Sequence, residues 1–438
     1  MLTICRKTRS SRCDRLGRRD FLRIGALGWL TLADLFRLRA VAASKAGGAT
    51  QRNKSVIMVY LDGGPSHVDT YDLKPEAPSE FRGEFNPIRT NVPGIMVSEH
   101  FPQQARIMDK LAILRAIAGM ADSHSDCQVM SGWSVREGDK ASTGGHPSVG
   151  AVVSRTRSAG RAEVPPFVSL RGLTPGLEPG ILGVAHRAFT PDDQAGRNLQ
   201  LPLEVDSQRL QDRRALLASF DTLRRDLDAG GTLAGMDEFR QRAFAMITSD
   251  AVRQALIVER EDEGVRESYG PARQFLLARR LVQAGVGFVT LKTPLVGLSW
   301  DTHERQFTIL RDSRHMPYLD VGVRALVEDL HRLGLSKDVL VLVWGEFGRT
   351  PRVNARAGRD HWPNVMSCLV AGGGLRMGQV VGSTTARGEE AREGRYSVQN
   401  VLATVYHVLG IDPAVTFPDQ VGRPIYLLDD RTPVRELL

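Results

Sequence analysis

The sequence has little cysteine, no long apolar segment and no phosphate-binding loop, and each absence removes a class of protein. Its 438 residues contain four cysteines without a CxxC pair, so no zinc-ribbon signature is present. No run of about eighteen apolar residues occurs, which argues against a transmembrane helix. The glycine triplet at 372–374 is not followed by Gly-Lys-Ser/Thr, so it is not a P-loop.

Excess positive charge is also absent from most of the chain, although the whole sequence carries a formal charge of +8. Residues 1–42 hold ten basic and three acidic side chains, a net charge of +7. The remaining residues hold 48 basic and 47 acidic side chains and are close to neutral. A near-neutral body has no field that attracts phosphate backbones, so the sequence argues against nucleic acid as a partner.

The basic N-terminus has the parts of an export signal in the expected order. Residues 17–23, Gly-Arg-Arg-Asp-Phe-Leu-Arg, resemble the twin-arginine translocation motif through Arg18 and Arg19. A moderately apolar stretch follows at 24–36, and Ala-Val-Ala at 40–42 fits the small-x-small rule for signal cleavage. The alternative is an amphipathic basic helix on a membrane or nucleic acid. We expect folded export through the twin-arginine machinery to the periplasm or beyond, with no stable membrane span after cleavage.

Apolar strands alternate with helical segments through the rest of the chain. Short apolar runs predict buried strands, and apolar residues spaced three or four apart predict helices. The predicted strands cover 54–61, 111–117, 166–170, 285–291, 339–344 and 367–371, and helical periodicity dominates 207–283, 318–333 and 396–409. This alternation predicts an α/β fold with three αβα layers and a mostly parallel central sheet. We expect a signal peptide at 1–42, a linker at 43–54 and one domain at 55–438, with a helical insertion at about 205–283.

Carboxylates and imidazoles lie beside four of the predicted strands. In open α/β sheets, functional residues gather outside the carboxyl ends of the strands. A mixture of carboxylate and imidazole ligands suits Zn, Mn and similar divalent ions. The candidate metal ligands are Asp62, Asp301, His303, Glu346, Asp360 and His361.

Each candidate ligand also has a structural interpretation that the sequence leaves open. Asp62 begins Asp-Gly-Gly, a common turn, and Asp301 could cap the helix that follows it. Glu346 could pair with a nearby arginine, and Asp360 and His361 could form a hydrogen-bonded pair in a loop. Together these interpretations require four coincidences in order, whereas one metal site accounts for all the residues.

The order of these residues resembles the alkaline phosphatase/sulfatase superfamily, whose members place metal ions at the carboxyl edge of the sheet. More closely, the chain resembles an uncharacterised bacterial family, domain of unknown function 1501. The resemblance rests on DGGPSHVDTY at 62–71, WGEFGRTP at 344–351 and GRDHWP at 358–363, and it covers about residues 55–430. It implies an alkaline phosphatase-like fold, one or two divalent ions (Zn, Mn or Ca) and hydrolysis of sulfate or phosphate esters.

The resemblance assigns metal-binding roles residue by residue. Asp62 resembles the metal aspartate that follows the first strand. Asp301 and His303 resemble the Asp and His of one metal, and His361 resembles the final metal histidine.

The second ion site is where the chain departs from the superfamily pattern. Glu346 stands where the superfamily has the aspartate of an Asp-His pair, but the next residue is Phe347 rather than histidine. Asp360 could substitute at this site, or the second ion could be absent. The sequence therefore predicts one or two ions without deciding between them.

The nucleophile of the superfamily precedes a helix about fifty residues after the first aspartate, which corresponds to 120–132 here. The segment ends in Ser-Gly, but Cys/Ser-x-Pro-Ser-Arg is absent, which argues against formylglycine. Asp122, Ser123, His124 or Ser125 could face a metal in this segment. Ser123, Ser125 or a water molecule at the metal could attack the ester, and His124 or His146 could assist the leaving group. Arg349 could hold an anionic oxygen through its planar guanidinium, or it could be a solvated loop charge.

Two functions of different classes follow from these observations. The first is an exported metal-dependent hydrolase that acts on an anionic ester or a sulfated polysaccharide. The alternative is a catalytically degenerate relative that binds a polysaccharide, an anion or a partner protein, which the missing sulfatase signature favours. A phosphomutase-type transferase is disfavoured, because its usual sugar-phosphate substrates are cytosolic and the chain carries an export signal.

Overall fold

A computed structural model describes residues 54–135, 145–157, 164–191, 250–293, 298–419 and 421–438. These residues belong to one compact unit, Asn53–Leu438. The predicted export signal with Arg18 and Arg19 lies outside the described residues, as do the predicted linker up to residue 53 and the predicted helical insertion up to residue 249. The predictions for these segments stay predictions.

Buried strands form where the sequence has uninterrupted apolar runs, because such runs can be covered on both faces. Two of them, 111–117 and 339–344, have the predicted bounds. The strands of the main sheet and of the small two-stranded sheets are, in chain order, β1 (Ser55–Leu61), β2 (Pro87–Arg89), β3 (Met96–Ser98), β4 (Leu111–Ile117), β5 (Phe167–Ser169), β6 (Phe288–Thr293), β7 (Val339–Trp344), β8 (Gly348–Arg349), β9 (His361–Trp362), β10 (Met366–Gly372), β11 (Gln379–Val381), β12 (Ser383–Thr384), β13 (Ala391–Glu393), β14 (Thr416–Pro418) and β15 (Pro424–Tyr426).

Helices occupy most of the connections between the long strands. The α-helices of the described residues are α1 (His67–Thr70), α2 (Ser79–Arg82), α3 (Pro102–Ala105), α4 (Cys127–Ser131), α5 (Val149–Arg157), α6 (Asp250–Leu256), α7 (Glu263–Tyr269), α8 (Arg273–Gln283), α9 (Gln306–Arg311), α10 (Met316–Arg332) and α11 (Val398–Leu409). Single 3-10 turns lie at Met108–Lys110, Pro175–Leu177, Gly180–Leu182, Val184–His186, Val258–Arg260 and Arg435–Leu437. No helix in the described ranges is both long and apolar enough to cross a membrane.

The main sheet has seven strands in the order β11-β4-β10-β7-β1-β6-β5. All adjacent pairs are parallel except the two that involve β10, which runs antiparallel to both β4 and β7. The connection from β7 to β10 contains the β8–β9 ribbon and no helix, so the chain returns in the opposite direction instead of crossing over. The predicted mostly parallel α/β sheet is confirmed.

Helices cover both faces of this sheet and so create two hydrophobic cores. Along β1, Ile57 and Val59 point into the first core, whereas Val56 and Met58 point into the second. The first core includes buried residues of α8 and α10, and the second includes residues of α5 and α11. Each large aliphatic side chain buried in this way contributes about 1.5–3 kcal/mol. The three αβα layers predicted from the sequence are therefore present.

Strand direction brings the loops that carry the candidate ligands to one edge of the sheet. The chain leaves β1, β4, β6 and β7 at the same edge, because these strands run in the same direction. The antiparallel β10 begins at that edge, so β9, which precedes it, lies there too. Residues far apart in the sequence can therefore contact one another in these loops.

Candidate metal centre

Three loops bring three histidines and one aspartate together at the carboxyl edge of the sheet. His124 comes from the loop after β4, Asp301 and His303 from the loop after β6, and His361 from β9. We call these four residues the histidine cluster. Their side chains are between 27% and 39% exposed, so solvent reaches them.

The Nε2 atoms of the three histidines all face the carboxylate of Asp301. His303 Nε2 lies 2.9 Å from Asp301 Oδ1, and His361 Nε2 lies 3.5 Å from the same oxygen. His124 Nε2 lies 3.4 Å from Oδ2. The Nε2 atoms of His303 and His361 are 3.2 Å apart. Three imidazole nitrogens and one carboxylate therefore converge on a small volume.

A carboxylate holds the opposite nitrogen of each histidine. His124 Nδ1 lies 2.8 Å from Glu346 Oε1, and His303 Nδ1 lies 2.8 Å from Asp360 Oδ1. His361 Nδ1 lies 3.0 Å from Asp122 Oδ1. Because a carboxylate accepts, Nδ1 can donate a proton in each pair, and a ring that is neutral in this arrangement carries its lone pair on Nε2, where an ion would bind.

This arrangement fits a divalent ion. One ligand atom each from His124, Asp301 and His361 can be chosen so that all three lie within 4.8 Å of one another. Histidines that bind metals usually donate their other N–H to a carboxylate or carbonyl, which orients the ring. Nitrogen donors with one carboxylate are typical of Zn and other borderline transition metals, whereas Ca prefers oxygen ligands. His124, Asp301 and His361 thus supply three donors, and His303, whose Nε2 lies 2.9 Å from Asp301 Oδ1, is a candidate for the fourth.

The electrostatics of the histidine cluster favour an ionised aspartate beside His124. The hydrogen bond from Nδ1 to Glu346 raises the pKa of His124. Burial alone would raise the pKa of Asp301, but the guanidinium of Arg349 and the neighbouring histidines outweigh it, so the net pKa of Asp301 is lowered. The hydrogen bond from His303 likewise lowers the pKa of Asp360. Asp301 is therefore a carboxylate at neutral pH, as a metal ligand must be.

A glycine turn after β1 fixes the position of Asp301. Trp300 donates its backbone N–H to Asp62 O at 2.7 Å, and Ser299 Oγ donates to the same oxygen at 2.9 Å. Gly63 has φ +107°, and a Cβ there would lie 2.1 Å from Ser299 Oγ and 2.5 Å from Asp301 N. Only glycine permits this approach of the two loops.

The loop that carries His303 packs against the loop that carries Asp360 by a second close approach. A Cβ on Gly358 would lie 2.1 Å from the carbonyl oxygen of His303. Asn354 Nδ2 donates to the same carbonyl at 3.0 Å. Backbone contact between the two loops therefore holds the His303–Asp360 pair together.

Asp62 lies at the predicted edge of the sheet but its carboxylate is held by a lysine. Lys292 Nζ, from the neighbouring strand β6, lies 2.8 Å from Asp62 Oδ2. Lys292 on β6 is the register partner of Tyr60 on β1, and Asp62 follows Tyr60 by two residues. The lysine side chain therefore emerges beside the end of β1, within reach of Asp62. The structure thus places Asp62 in an ion pair, whereas Asp301, His303 and His361 lie in the histidine cluster.

The predicted catalytic residues have different environments. His124 belongs to the histidine cluster, and Ser123 and Ser125 flank it in the same loop. Ser123 is exposed, whereas Ser125 Oγ accepts the backbone N–H of Cys127 at 3.3 Å. The structure therefore keeps both hydroxyls beside a cluster residue without assigning either one a role.

Arg349 lies behind the histidine cluster and is completely buried. Its Nε donates to Gly64 O at 2.9 Å and its Nη1 to Arg359 O at 3.2 Å. Its Nη2 donates to Gly63 O and pairs with Asp301 Oδ1. The sequence predicted that this guanidinium could hold an anionic oxygen of a substrate. In the structure all three of its nitrogens are engaged within the protein, where they orient Asp301.

Residues 53–438 match the family described as protein of unknown function (DUF1501). The chain belongs to the DUF1501 family. The prediction made from the three sequence motifs is confirmed. In this DUF1501 chain the motif at 62–71 follows β1, the motif at 344–351 spans the end of β7 and β8, and the motif at 358–363 contains β9.

The solved structures similar to this chain share little sequence with it. The PsFucS1 sulfatase from Pseudoalteromonas sp. is 11% identical with a TM-score of 0.35, over 85% of this chain and 71% of that one. The lipoteichoic acid synthase LtaP from Listeria monocytogenes is 10% identical with a TM-score of 0.35, over 87% and 76%. The phosphonate monoester hydrolase SpPMH from Silicibacter pomeroyi is 12% identical with a TM-score of 0.36, over 83% and 74%. TM-scores this low carry no argument about function, and no curated protein matches the chain.

Sequence reasoning missed a buried network beside the histidine cluster of this DUF1501 chain. Asp69 and Arg359 are both fully buried and form a two-pronged ion pair, with Nε–Oδ2 at 2.7 Å and Nη2–Oδ1 at 3.0 Å. Gln306 Nε2 donates to Asp69 Oδ2 at 2.6 Å. Asp69 lies within the motif at 62–71 and Arg359 within the motif at 358–363. The presence of opposite charges in these two motifs was the sequence signal that could have predicted the pair.

The sequence analysis also missed Lys292. For Asp122 it predicted only that the side chain could face a metal, without a specific partner. Lys292 follows four buried residues at the end of the apolar run that forms β6, so a charge at the end of a buried strand was the signal. Asp122 immediately precedes the serine and histidine that were predicted to be catalytic. Its contact with His361 spans 239 positions of sequence, and no local pattern identifies such a partner.

Proposed function

We propose that this DUF1501 chain is an exported metal-dependent hydrolase of sulfate or phosphate esters. The observation that carries the proposal is the convergence of three histidine Nε2 atoms on Asp301, with a carboxylate on every Nδ1. Histidines that serve only the fold have no need of this double constraint. The pattern is typical of a metal centre whose ligands are oriented before the ion binds.

The residues that would hold the ion are those of the histidine cluster. Three nitrogen donors favour Zn over Mn and Ca among the ions that the family resemblance suggested. A divalent ion at such a site polarises an ester oxygen and lowers the pKa of water. Glu346, Asp360 and Asp122 would act as positioning residues, because each contacts a ligand and not the ion.

The chemistry assigned to the chain itself is nucleophilic attack and proton transfer beside the histidine cluster. Ser123 is exposed next to His124, so its hydroxyl is the better placed of the two predicted nucleophiles, and Ser125 and a water molecule are the alternatives. Glu346 holds the proton on His124 Nδ1, which keeps that ring in one tautomer. Arg349 would keep the Asp301 carboxylate ionised and fixed in orientation.

Export remains part of the proposal because the leader at 1–42 has the parts of a twin-arginine signal. The twin-arginine pathway carries folded proteins, which suits a chain that acquires its ion before it leaves the cytoplasm. Replacement of Arg18 and Arg19 by lysine should retain the chain in the cytoplasm. Fractionation of cells expressing both versions tests this point independently of activity.

A second candidate function is binding of an anionic ligand without turnover. The observation that favours it is the complete burial of Arg349, whose guanidinium nitrogens are engaged by carbonyls and Asp301. A hydrolase of anionic esters needs positive charge facing the transition state. In this chain that charge would have to come from the ion and the histidines.

Metal analysis combined with two substrates distinguishes these functions. The purified protein would be analysed for bound metal and assayed with p-nitrophenyl sulfate and p-nitrophenyl phosphate. We expect bound metal and hydrolysis of one substrate in the wild type, and loss of both in Asp301→Asn and His361→Ala. His331→Ala, which changes an exposed histidine on α10, is the matched control and should behave as wild type. Metal without turnover would support the binding function, and absence of metal would contradict the hydrolase and leave the binding function.

A further inference from the structure

We propose that the metal centre holds a single ion, because the groups that would bind a second ion are already committed to other partners. The inference rests on the proposed function, since it concerns the number of ions at the same site. The superfamily resemblance would build the second site from Glu346 and the residue after it, with Asp360 as a substitute, and Asp62 is the predicted ligand left outside the histidine cluster. In the structure each of these four residues makes other contacts within the protein.

Asp62 is neutralised by an ammonium group rather than left for an ion. Lys292 Nζ lies 2.8 Å from Asp62 Oδ2, and the two side chains are 24% and 35% exposed. The lysine extends from the strand next to β1 and is fixed there by the parallel register of the sheet. A cation at this oxygen would have to displace the lysine and would meet its positive charge at short range.

Glu346 has both oxygens in use. Gly63 donates its backbone N–H to Oε1 at 3.0 Å and to Oε2 at 3.3 Å, and His124 Nδ1 donates to Oε1 at 2.8 Å. The side chain is 2% exposed. Rotation of this carboxylate toward an ion would leave a buried N–H without an acceptor, which costs about 1–3 kcal/mol.

Phe347 fills the place of the missing histidine with an apolar ring. It is completely buried, and its ring centroid lies 4.6 Å from that of His361 and 5.1 Å from that of His124. A Cβ on Gly64 would lie 2.6 Å from two carbons of this ring, so the ring packs directly against the turn after Asp62. The phenyl group offers no donor atom to a metal.

Asp360, the fourth candidate for the second site, is held by a hydrogen bond with His303. Its Oδ1 lies 2.8 Å from His303 Nδ1 and accepts from Asn354 Nδ2 at 3.3 Å. The carboxylate therefore supports a ligand of the first ion. Asp301 is also ion-paired, with Arg349, but the Nε2 atoms of three histidines face its carboxylate. These four donors of the histidine cluster suit one ion, whereas Asp62, Glu346 and Asp360 are held by other partners and Phe347 offers no donor.

Metal titration of the full-length protein tests the inference. Protein stripped with a chelator would be titrated with Mn²⁺, with the ions per chain counted by mass spectrometry of the metal and the spin signal recorded by electron paramagnetic resonance. We expect one ion per chain and the uncoupled six-line spectrum of isolated Mn²⁺. Asp62→Asn should keep the one ion, whereas Asp301→Asn should lose it.

A variant that rebuilds the second site provides a positive control. The double change Lys292→Met with Phe347→His frees Asp62 and restores the histidine, so it should bind two ions with exchange-coupled spins. Two ions in the wild type, or loss of the ion in Asp62→Asn, would overturn the single-ion inference and leave the proposed hydrolase intact. A folded double variant that stays at one ion would overturn the roles of Lys292 and Phe347. Zero ions in the wild type would overturn the proposed function itself.

Discussion

Removal of the Asp69 carboxylate should be among the most damaging single changes outside the histidine cluster. Asp69 lies on the first helix and is completely buried together with Arg359. It accepts hydrogen bonds from Arg359 Nε at 2.7 Å, Gln306 Nε2 at 2.6 Å and Ser66 Oγ at 2.5 Å. Arg359 lies just before His361, and Gln306 begins α9 directly after the loop that carries His303.

The magnitude follows from the charge that Asp69→Ala leaves behind. Arg359 would keep hydrogen bonds to the carbonyls of Phe81 and Thr350, but carbonyls do not neutralise a guanidinium. Removal of one partner of a buried ion pair costs about 3–5 kcal/mol, because the other charge stays buried without compensation. We therefore expect a loss of about 3–5 kcal/mol in the free energy of unfolding.

Urea unfolding of the metal-free protein, followed by circular dichroism, measures this loss. Glu328→Ala is the matched control, because its carboxylate is 48% exposed and pairs with Arg324 on the helix surface at 3.2 Å, which is worth about 0.3–0.5 kcal/mol. A double-mutant cycle with Arg359→Met should recover part of the loss, since the uncompensated charge is then removed as well. A loss below about 1 kcal/mol for Asp69→Ala, or no recovery in the cycle, would refute the reasoning.

Three further predictions address the metal ligands and the sheet. Glu346→Gln should weaken metal affinity about 10- to 100-fold in calorimetric titration, because the amide orients His124 less well; an unchanged affinity would contradict its positioning role. Gly358→Ala should lower the free energy of unfolding by about 1–3 kcal/mol in urea melts, because a Cβ would lie 2.1 Å from the His303 carbonyl; a neutral effect would contradict that close approach. Burial raises the pKa of Asp320 to about 6, so the folded chain binds this proton more tightly and stability should fall by about 1–3 kcal/mol between about pH 4 and pH 7. The wild-type fall should exceed that of Asp320→Asn, and equal slopes would contradict it.

The sequence predicted those strands best that are apolar from end to end. The bounds of β7 were predicted without error because all six of its residues are apolar and a turn signal follows at once. The predicted strand 285–291 begins three residues before β6 because Gly285 and its neighbours are small and apolar but belong to the turn after α8. The antiparallel direction of β10 was not predicted, since direction depends on the connection and not on the strand's own residues.

For the metal centre, residue type and strand-end position predicted which side chains gather, but not what each one contacts. Asp301, His303 and His361 were expected at one edge, and they lie there within hydrogen-bonding range of each other or close to it. The contact of Lys292 with Asp62 depends on strand register, and the contact of Glu346 with His124 depends on side-chain rotamers. Both contacts join segments that are distant in the sequence. Because those contacts span more than two hundred positions, a single sequence contains no local pattern for them.

A crystal structure of the zinc-loaded protein, with anomalous data at the zinc edge, tests the central claim most directly. We predict one anomalous peak bounded by the Nε2 atoms of His124, His303 and His361 and by the carboxylate of Asp301. The carboxylates on the three Nδ1 atoms should keep their present partners. A peak at Asp62 and Glu346 instead, or no peak at the histidine cluster in protein that carries stoichiometric zinc, would contradict the claim.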